Sequence, residues 1–203
     1  YRMTKVTQNS DGSLTMSNPQ YNTNTAIDIN KSFNANTLTD GAGNVLSIDG
    51  TKAFTVENGG KVAARGNVNI NAGSIGINGI LLAGVNDATV IKTDNAATTL
   101  FNNLVNASNT NSGNTLASSN GNIVIKSVTG TSIGNTGKVR NHALSGNTTI
   151  TNTGANGVNI NGQLFNRNGN LTVTNNGGQL LVGTSGDVRN NGNLLFTNNG
   201  TGM

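Results

Sequence analysis

The chain has 203 residues, a formal net charge of +4, 33% hydrophobic, 3% aromatic and 10% charged residues, 28 glycines, one proline and no cysteine or tryptophan. So few large apolar side chains exclude an ordinary globular core of this length, and the shortage of charge and proline argues against a disordered chain. The missing cysteines exclude a disulfide scaffold and a thiolate metal site, and what remains is a narrow core of Val, Ile and Leu in a chain that is about one-fifth Asn.

Residues 1–42 are the least regular part. Strand candidates stand at Leu14-Thr-Met16, Ala26-Ile-Asp-Ile29 and Leu38-Thr39, separated by Asp11-Gly12, Asn18-Pro19 and Asn-rich turns. They read as degenerate coils of the pattern that follows. The chain opens without an initiator Met or a charged-then-apolar leader, which reads as a mature product or a piece of something longer. Its longest apolar run, Ile80-Leu-Leu-Ala83, is far too short to cross a bilayer.

A regular beat occupies residues 43–203. Gly43-Asn44 precedes Val45-Leu-Ser-Ile48, and at an offset of 23 the pair Gly66-Asn67 precedes Val68-Asn-Ile70. Phe54, Val56 and Val62 supply two further strands in the first of these coils, and Ile75, Ile77 and Ile80 to Leu82 do so in the second. The next pair, Gly121-Asn122, comes at an offset of 55 from Gly66, which reads as two periods with 9 over: a hidden coil start near Ala88-Thr-Val-Ile91 and an inserted loop within 92–119. That loop contains Leu100, Phe101, Leu104 and Val105 at helical spacing, so a short helix, an ordered loop or an irregular strand would each fit. Gly146 follows Gly121 at an offset of 25, with the surplus assigned to Asn141-His-Ala-Leu-Ser145.

The clearest copies come last. Gly146-Asn-Thr-Thr-Ile-Thr-Asn-Thr-Gly154, Gly169-Asn-Leu-Thr-Val-Thr-Asn-Asn-Gly177 and Gly192-Asn-Leu-Leu-Phe-Thr-Asn-Asn-Gly200 start at successive offsets of 23, a fixed period of the kind that marks a repeat architecture. Thr148 and Ile150, Leu171 and Val173, Leu194 and Phe196 alternate with Asn and Thr, as in half-buried strands. Between copies lie two more short runs, Val158-Asn-Ile160 with Leu164-Phe165, then Leu180-Leu-Val182 with Val188-Arg189. Three strands and three corners per period, each turn laid on the last, describe an all-β parallel β-helix of about seven coils. Asn-Gly turns also favour hairpins, but an antiparallel fold would not need every third strand to carry the same words.

The Gly-Asn pairs Gly43, Asn44, Gly66, Asn67, Gly121, Asn122, Gly146, Asn147, Gly169, Asn170, Gly192 and Asn193 are therefore the structural repeat positions. Their Asn side chains either stack into an amide ladder or serve a left-handed corner.

These phrases, Gly66-Asn-Val-Asn-Ile-Asn-Ala-Gly73 and Gly169 to Gly177 above all, resemble the repeat region of filamentous haemagglutinin-like exoproteins, the adhesins and contact-toxin stalks that Gram-negative bacteria export by two-partner secretion. The resemblance covers residues 43–200. The family's secretion domain usually carries Asn-Pro-Asn, whereas this chain has Asn18-Pro19-Gln20, which suggests a shaft segment or another secretion route, since autotransporter passengers share such repeats. The resemblance implies a right-handed helix, a secreted or cell-surface location, passage through an outer-membrane transporter, and attachment to host cells or other bacteria. Partners would be a surface receptor or glycan, and further coils of the same polypeptide.

Little in the sequence carries chemistry. His142 is the sole His, in an apparent corner insertion, and reads as a surface residue. The carboxylates Asp11, Asp28, Asp40, Asp49, Glu57, Asp87, Asp94 and Asp187 are scattered, with Asp87 and Asp94 beside Lys92 the only local candidate for the converging acids of a polysaccharide-cleaving enzyme. Such an enzyme, or an autotransporter toxin passenger, is the alternative function. No cofactor or metal motif is present. The basic residues are spread out, Lys138 and Arg140 being the densest pair, without the interleaved aromatics of nucleic-acid binding. The candidate binding residues are those of the inserted loop, Asn102, Asn103, Asn106, Asn109 and Asn111, whose amides suit sugar hydroxyls.

Overall fold

The computed structural model describes residues 5–17, 32–39, 45, 46, 48, 50–85 and 118–202. Among these the chain is all-β, without helix. At the amino-terminal side, β1 (Lys5–Gln8) and β2 (Leu14–Ser17) form an antiparallel hairpin whose turn includes Gly12 at φ +87°. A second antiparallel pair joins β4 (Leu38–Thr39) to β5 (Val45–Leu46). Every other described strand pairing is parallel.

The remaining strands are β3 (Phe33–Asn34), β6 (Ala53–Val56), β7 (Lys61–Ala63), β8 (Val68–Ile77), β9 (Ile80–Ala83), β10 (Ile123–Ile133), β11 (Lys138–Asn141), β12 (Thr148–Asn152), β13 (Gly157–Ile160), β14 (Gln163–Asn166), β15 (Leu171–Asn175), β16 (Leu180–Val182), β17 (Asp187–Asn190) and β18 (Leu194–Asn198). They recur in threes. Phe33, Val68, Ile123, Thr148, Leu171 and Leu194 stand in one register column. Leu14, Phe54, Ile75, Thr131, Val158 and Leu180 form a second. Val62, Leu81, Val139, Leu164 and Val188 form a third. The first two columns belong to one large sheet and the third to a five-stranded sheet, β17-β14-β11-β9-β7.

Between Phe33 and Asn190 the described chain therefore makes five turns, each returning its strands to the same places. Strands of the large sheet bury alternate residues, as Leu171, Val173 and Asn175 do in β15. The inward columns meet in one apolar cluster running the length of the stack. Burial on that axis, together with ladder hydrogen bonds to the turns above and below, is what lets a coil with so few apolar residues fold.

Several sequence expectations change. Val45 is not the first strand of its coil. It pairs antiparallel with Thr39, and Phe33, at an offset of 35 from Val68, occupies the column instead. The hairpin lengthens that turn, and its Leu38, Leu46 and Ile48 join the core cluster. The match in spacing at Gly43 is thus a coincidence of an inserted hairpin, and Gly43 and Asn44 themselves lie outside the described residues.

The hidden coil is also not interposed. Val68 pairs directly with Ile123 and Ile80 with Lys138, so the turns on either side of the gap are neighbours. The start expected near Ala88 to Ile91 lies outside the described residues, as does nearly all of the expected loop within 92–119. The described chain stops at Val85 and resumes at Ser118, whose N–H donates to Gly84 O at 2.8 Å. Taking 86–117 out of the offset of 55 leaves 23, one ordinary turn. The two-residue surplus of the next turn does fall between Asn141 and Thr148, because Asn141 pairs with Asn166 at a separation of 25 and Thr148 with Leu171 at 23.

Candidate functional site

The Gly-Asn corners form a ladder from side chain to backbone. Asn67 N–H donates to Ser32 Oγ, Asn122 N–H to Asn67 Oδ1, Asn147 N–H to Asn122 Oδ1 and Asn170 N–H to Asn147 Oδ1, each at 2.8 Å. The Asn193 carbonyl accepts from Leu171 N at 2.9 Å. Asn67, Asn122 and Asn147 each thereby satisfy a corner amide that the strand ladder leaves over. None adopts a left-handed backbone, since positive φ among the described residues is confined to glycine.

The glycines answer to a different need. A Cβ on Gly121 would lie 2.8 Å from Gly66 O, and one on Gly66 2.7 Å from Ser32 Oγ. On Gly146, Gly169 or Gly192 it would overlap the carbonyl oxygen of the preceding Gly in the column. Only Gly169 of the described members of this set also has positive φ, +100°. Gly146→Ala should therefore destabilise by roughly 1–3 kcal/mol, the usual cost of overpacking, whereas Gly76→Ala, which meets nothing among the described residues within 4 Å, should change stability by less than about 0.5 kcal/mol. Urea unfolding of the two variants measures the difference.

A second ladder runs inside the stack. Asn152 Nδ2 donates to Asn175 Oδ1 at 2.9 Å and Asn175 Nδ2 to Asn198 Oδ1 at 3.0 Å, with Ser127 Oγ donating to Asn152 Oδ1 at 2.9 Å. Asn152 and Asn175 are fully buried, so these Asn do not share the outward face with Thr as alternation first suggested. They stand two residues after Ile150 and Val173, which by strand parity is the inward side. At the end of the third strand Asn166 repeats the device, accepting from Thr148 Oγ1 at 2.8 Å and donating to Asn190 Oδ1 at 3.2 Å. Asn175→Ala should cost roughly 2 kcal/mol, since it removes the buried amide that bonds both Asn152 and Asn198 and leaves a gap in the ladder. A loss no greater than that of an exposed Asn→Ala, such as Asn156→Ala, would show the ladder to be idle.

Basic groups gather on the outer side of the five-stranded sheet. Arg140, Phe165 and Arg189 are register partners, with the Phe165 ring 4.6 Å from Arg140 Cζ and 5.1 Å from Arg189 Cζ, a cation–π sandwich. Arg189 also pairs with Asp187 at 2.9 Å. Arg167 Nε donates to the His142 carbonyl at 2.8 Å. His142 is buried, not superficial, because its corner lies against the third strand of the turn below, where its N–H donates to Ala83 O at 2.9 Å. Both ring nitrogens are enclosed without a hydrogen-bond partner among the described residues. Burial, with Arg140 and Arg167 adding repulsion, pushes the imidazole pKa down to about 3, and burial, with Arg167 and Arg189 adding repulsion, brings Arg140 down to about 10. The densest basic pair in the sequence is thus half interior, for Arg140 has no exposed surface.

The described carboxylates are Asp11, Glu57 and Asp187, and the described residues hold no group of three metal-ligating side chains. Asp11 sits in the first hairpin, its pKa held down by hydrogen bonds from Ser13. Asp87, Lys92 and Asp94 lie outside the described residues, as do the candidate binding residues Asn102, Asn103, Asn106, Asn109 and Asn111. A shallow groove of about 180 Å³ opens on the second column of the large sheet, lined by Ser74, Ser132, Asn156 and Asn159 around Gly130. Its hydroxyls and amides can exchange hydrogen bonds with a polar ligand.

Comparison with protein-family models, with curated proteins and with solved structures finds no match for this chain.

Proposed function

We propose that the chain is a right-handed parallel β-helix of about 23 residues and three strands per coil, and that it serves as a structural and adhesive rod in a secreted or surface exoprotein of the filamentous haemagglutinin-like type. The observation that carries this reading is the register itself: five successive turns keep three columns in parallel alignment, and the Gly-Asn ladder holds the same corner in four consecutive steps. Such a chain extends by repetition, and its outward faces repeat with it. Asn69, Val124, Thr149 and Thr172 stand in one outward column, giving a flat, mainly polar surface on which a receptor or glycan of a host cell or neighbouring bacterium can rest.

At the carboxyl-terminal side, Leu181, Val182, Leu194 and Leu195 are exposed. A further coil of the same polypeptide, laid on β16, β17 and β18, would cover the inward-column members and satisfy the strand edges. The cysteine-free chain suits export through an outer-membrane transporter. In this reading the groove around Gly130 is the contact for sugar hydroxyls. The purified protein should bind cells, bacteria or a glycan surface saturably, and Ser132→Trp or Asn159→Trp should abolish that binding with the fold intact. Absence of saturable binding by the parent protein would remove the adhesive role and leave a spacer.

A further inference from the structure

The chain contains nine Asn-Gly pairs, all within the described residues. Such a pair carries a reaction of its own. The main-chain nitrogen of the glycine attacks the asparagine Cγ, a Cγ–N bond forms, the Cγ–Nδ2 bond breaks, and ammonia leaves with the proton of the glycine N–H. Glycine permits this because no Cβ shields its nitrogen. A hydrogen bond on either the glycine N–H or the asparagine amide opposes the attack, so the fold decides which pair is open to react.

At four pairs the glycine N–H is already committed. Gly79 N donates to Val56 O at 3.1 Å, Gly121 N to Ser145 O at 3.3 Å, Gly157 N to Gly154 O at 3.3 Å and Gly200 N to Asn198 Oδ1 at 3.1 Å. At two others the amide is held: Asn168 Nδ2 donates to Leu144 O at 3.2 Å, and Asn176 Oδ1 accepts from Asn199 Nδ2 at 2.9 Å. Asn161 is half-buried, with its Oδ1 lodged where a Cβ on Gly183 would fall, and Asn191 is also engaged. The ninth pair differs. Asn58 and Gly59 are both exposed, and among the described residues neither the Asn58 amide nor the Gly59 N–H has a hydrogen-bond partner.

We propose that Asn58-Gly59 is a site of spontaneous modification, at which the chain closes to a succinimide and reopens with water to an isoaspartyl or aspartyl residue. The pair forms the centre of the turn 57–60, closed by Gly60 N–H on Glu57 O at 2.8 Å, with Gly59 at φ +89° as a type II turn requires. Water adding at the main-chain carbonyl carbon breaks its bond to the glycine nitrogen and leaves the chain running through Cγ, one carbon longer; water adding at Cγ restores the ordinary main chain. Either product replaces a neutral amide by a carboxylate. The position gives the longer product a structural effect. Glu57 N–H donates to Met16 O at 2.8 Å, and a Cβ on Gly60 would lie 2.6 Å from the same oxygen, so this turn bears directly on the β1–β2 hairpin. An extra carbon there loosens the hairpin from β6.

Trypsin cuts after Lys52 and Lys61, and the peptide 53–61 holds Asn58 and no other amide side chain. When the folded full chain is kept at mildly alkaline pH, this peptide should gain the amide-to-acid mass before any other Asn-Gly peptide. In the urea-unfolded chain all the pairs should convert at similar rates, because only the fold distinguishes them. Asn58→Gln should remove the early gain with the β-sheet circular dichroism retained. Another Asn-Gly pair converting as fast in the folded chain, or the same ranking after unfolding, would overturn the proposal. The isoaspartyl chain, separated by its added negative charge, should exchange the Glu57 amide with deuterium faster than the parent does. Unchanged protection of that amide would overturn the effect on the hairpin.

Discussion

Val173→Asp should destabilise the protein by at least about 4 kcal/mol, and Thr172→Asp, one residue away, by about 1 kcal/mol or less. Val173 is 0% exposed and lies in the column between Ile150 and Phe196, inside the apolar cluster. A carboxylate there has no cationic partner within the described column and must be buried neutral at a raised pKa or expelled with the strand. Thr172 faces outward between Thr149 and Leu195, where water solvates the new charge and only strand propensity is lost. Denaturant unfolding of the two variants gives the comparison. Equal losses would mean that the inward face has been assigned wrongly.

The second large effect is acid sensitivity through His142. The unfolded chain takes up a proton on this imidazole near pH 6.5, while the folded chain refuses it until about pH 3. Between those values the unfolded state binds more protons, so folding stability falls as pH falls. The contribution lost between pH 7 and pH 4 is about 3 kcal/mol. His142→Leu should remove that part of the acid loss, so that the variant's stability at pH 4 lies closer to its own value at pH 7 than the parent's does. Because this is the only His in the chain, one imidazole resonance also follows it. Titration of that resonance near pH 6.5 in the folded parent would contradict the buried placement.

Both effects bear on what could be read from the residues alone. The strands of the three phrases from Gly146 on were legible because Leu, Val and Ile alternate with Thr and Asn while the whole phrase recurs at one spacing, and two periodicities that agree leave little freedom. The Gly-Asn positions were legible for the same reason, although not their cause. Close approach of a carbonyl in the turn beneath, which excludes a Cβ at Gly146, is a three-dimensional fact with no local signature. The inward ladder of Asn152, Asn175 and Asn198 was concealed by polarity. An Asn at an inward parity position is expected to face water until a partner one turn away is known to satisfy it, as Asn175 Oδ1 satisfies Asn152 Nδ2.

The errors have the same origin. A spacing of 23 between Gly43 and Gly66 looked like a turn, yet antiparallel pairing of Val45 with Thr39 removes that segment from the stack. A separation of 55 looked like two turns with a remainder, when Val68 pairs directly with Ile123 and the two turns are neighbours. Spacing counts residues without saying which of them return to the axis. His142 was misplaced because a lone polar residue in a corner is normally solvated, and only the pairing of Lys138–Asn141 with both Ile80–Ala83 and Gln163–Asn166 puts that corner between two neighbours.

The central claim is that turns distant in sequence are stacked at the spacing of β-strands. Nitroxide labels at Asn69→Cys and Leu195→Cys test it most directly. These residues are far apart in the sequence and occupy one outward column through Val124, Thr149 and Thr172. Four steps of strand spacing put their backbones about 19 Å apart. Pulsed dipolar spectroscopy should give one narrow distance distribution centred at about 20 Å, the four-step strand spacing. A broad distribution, or a mean beyond about 30 Å, more than six such steps, would contradict the stacked architecture.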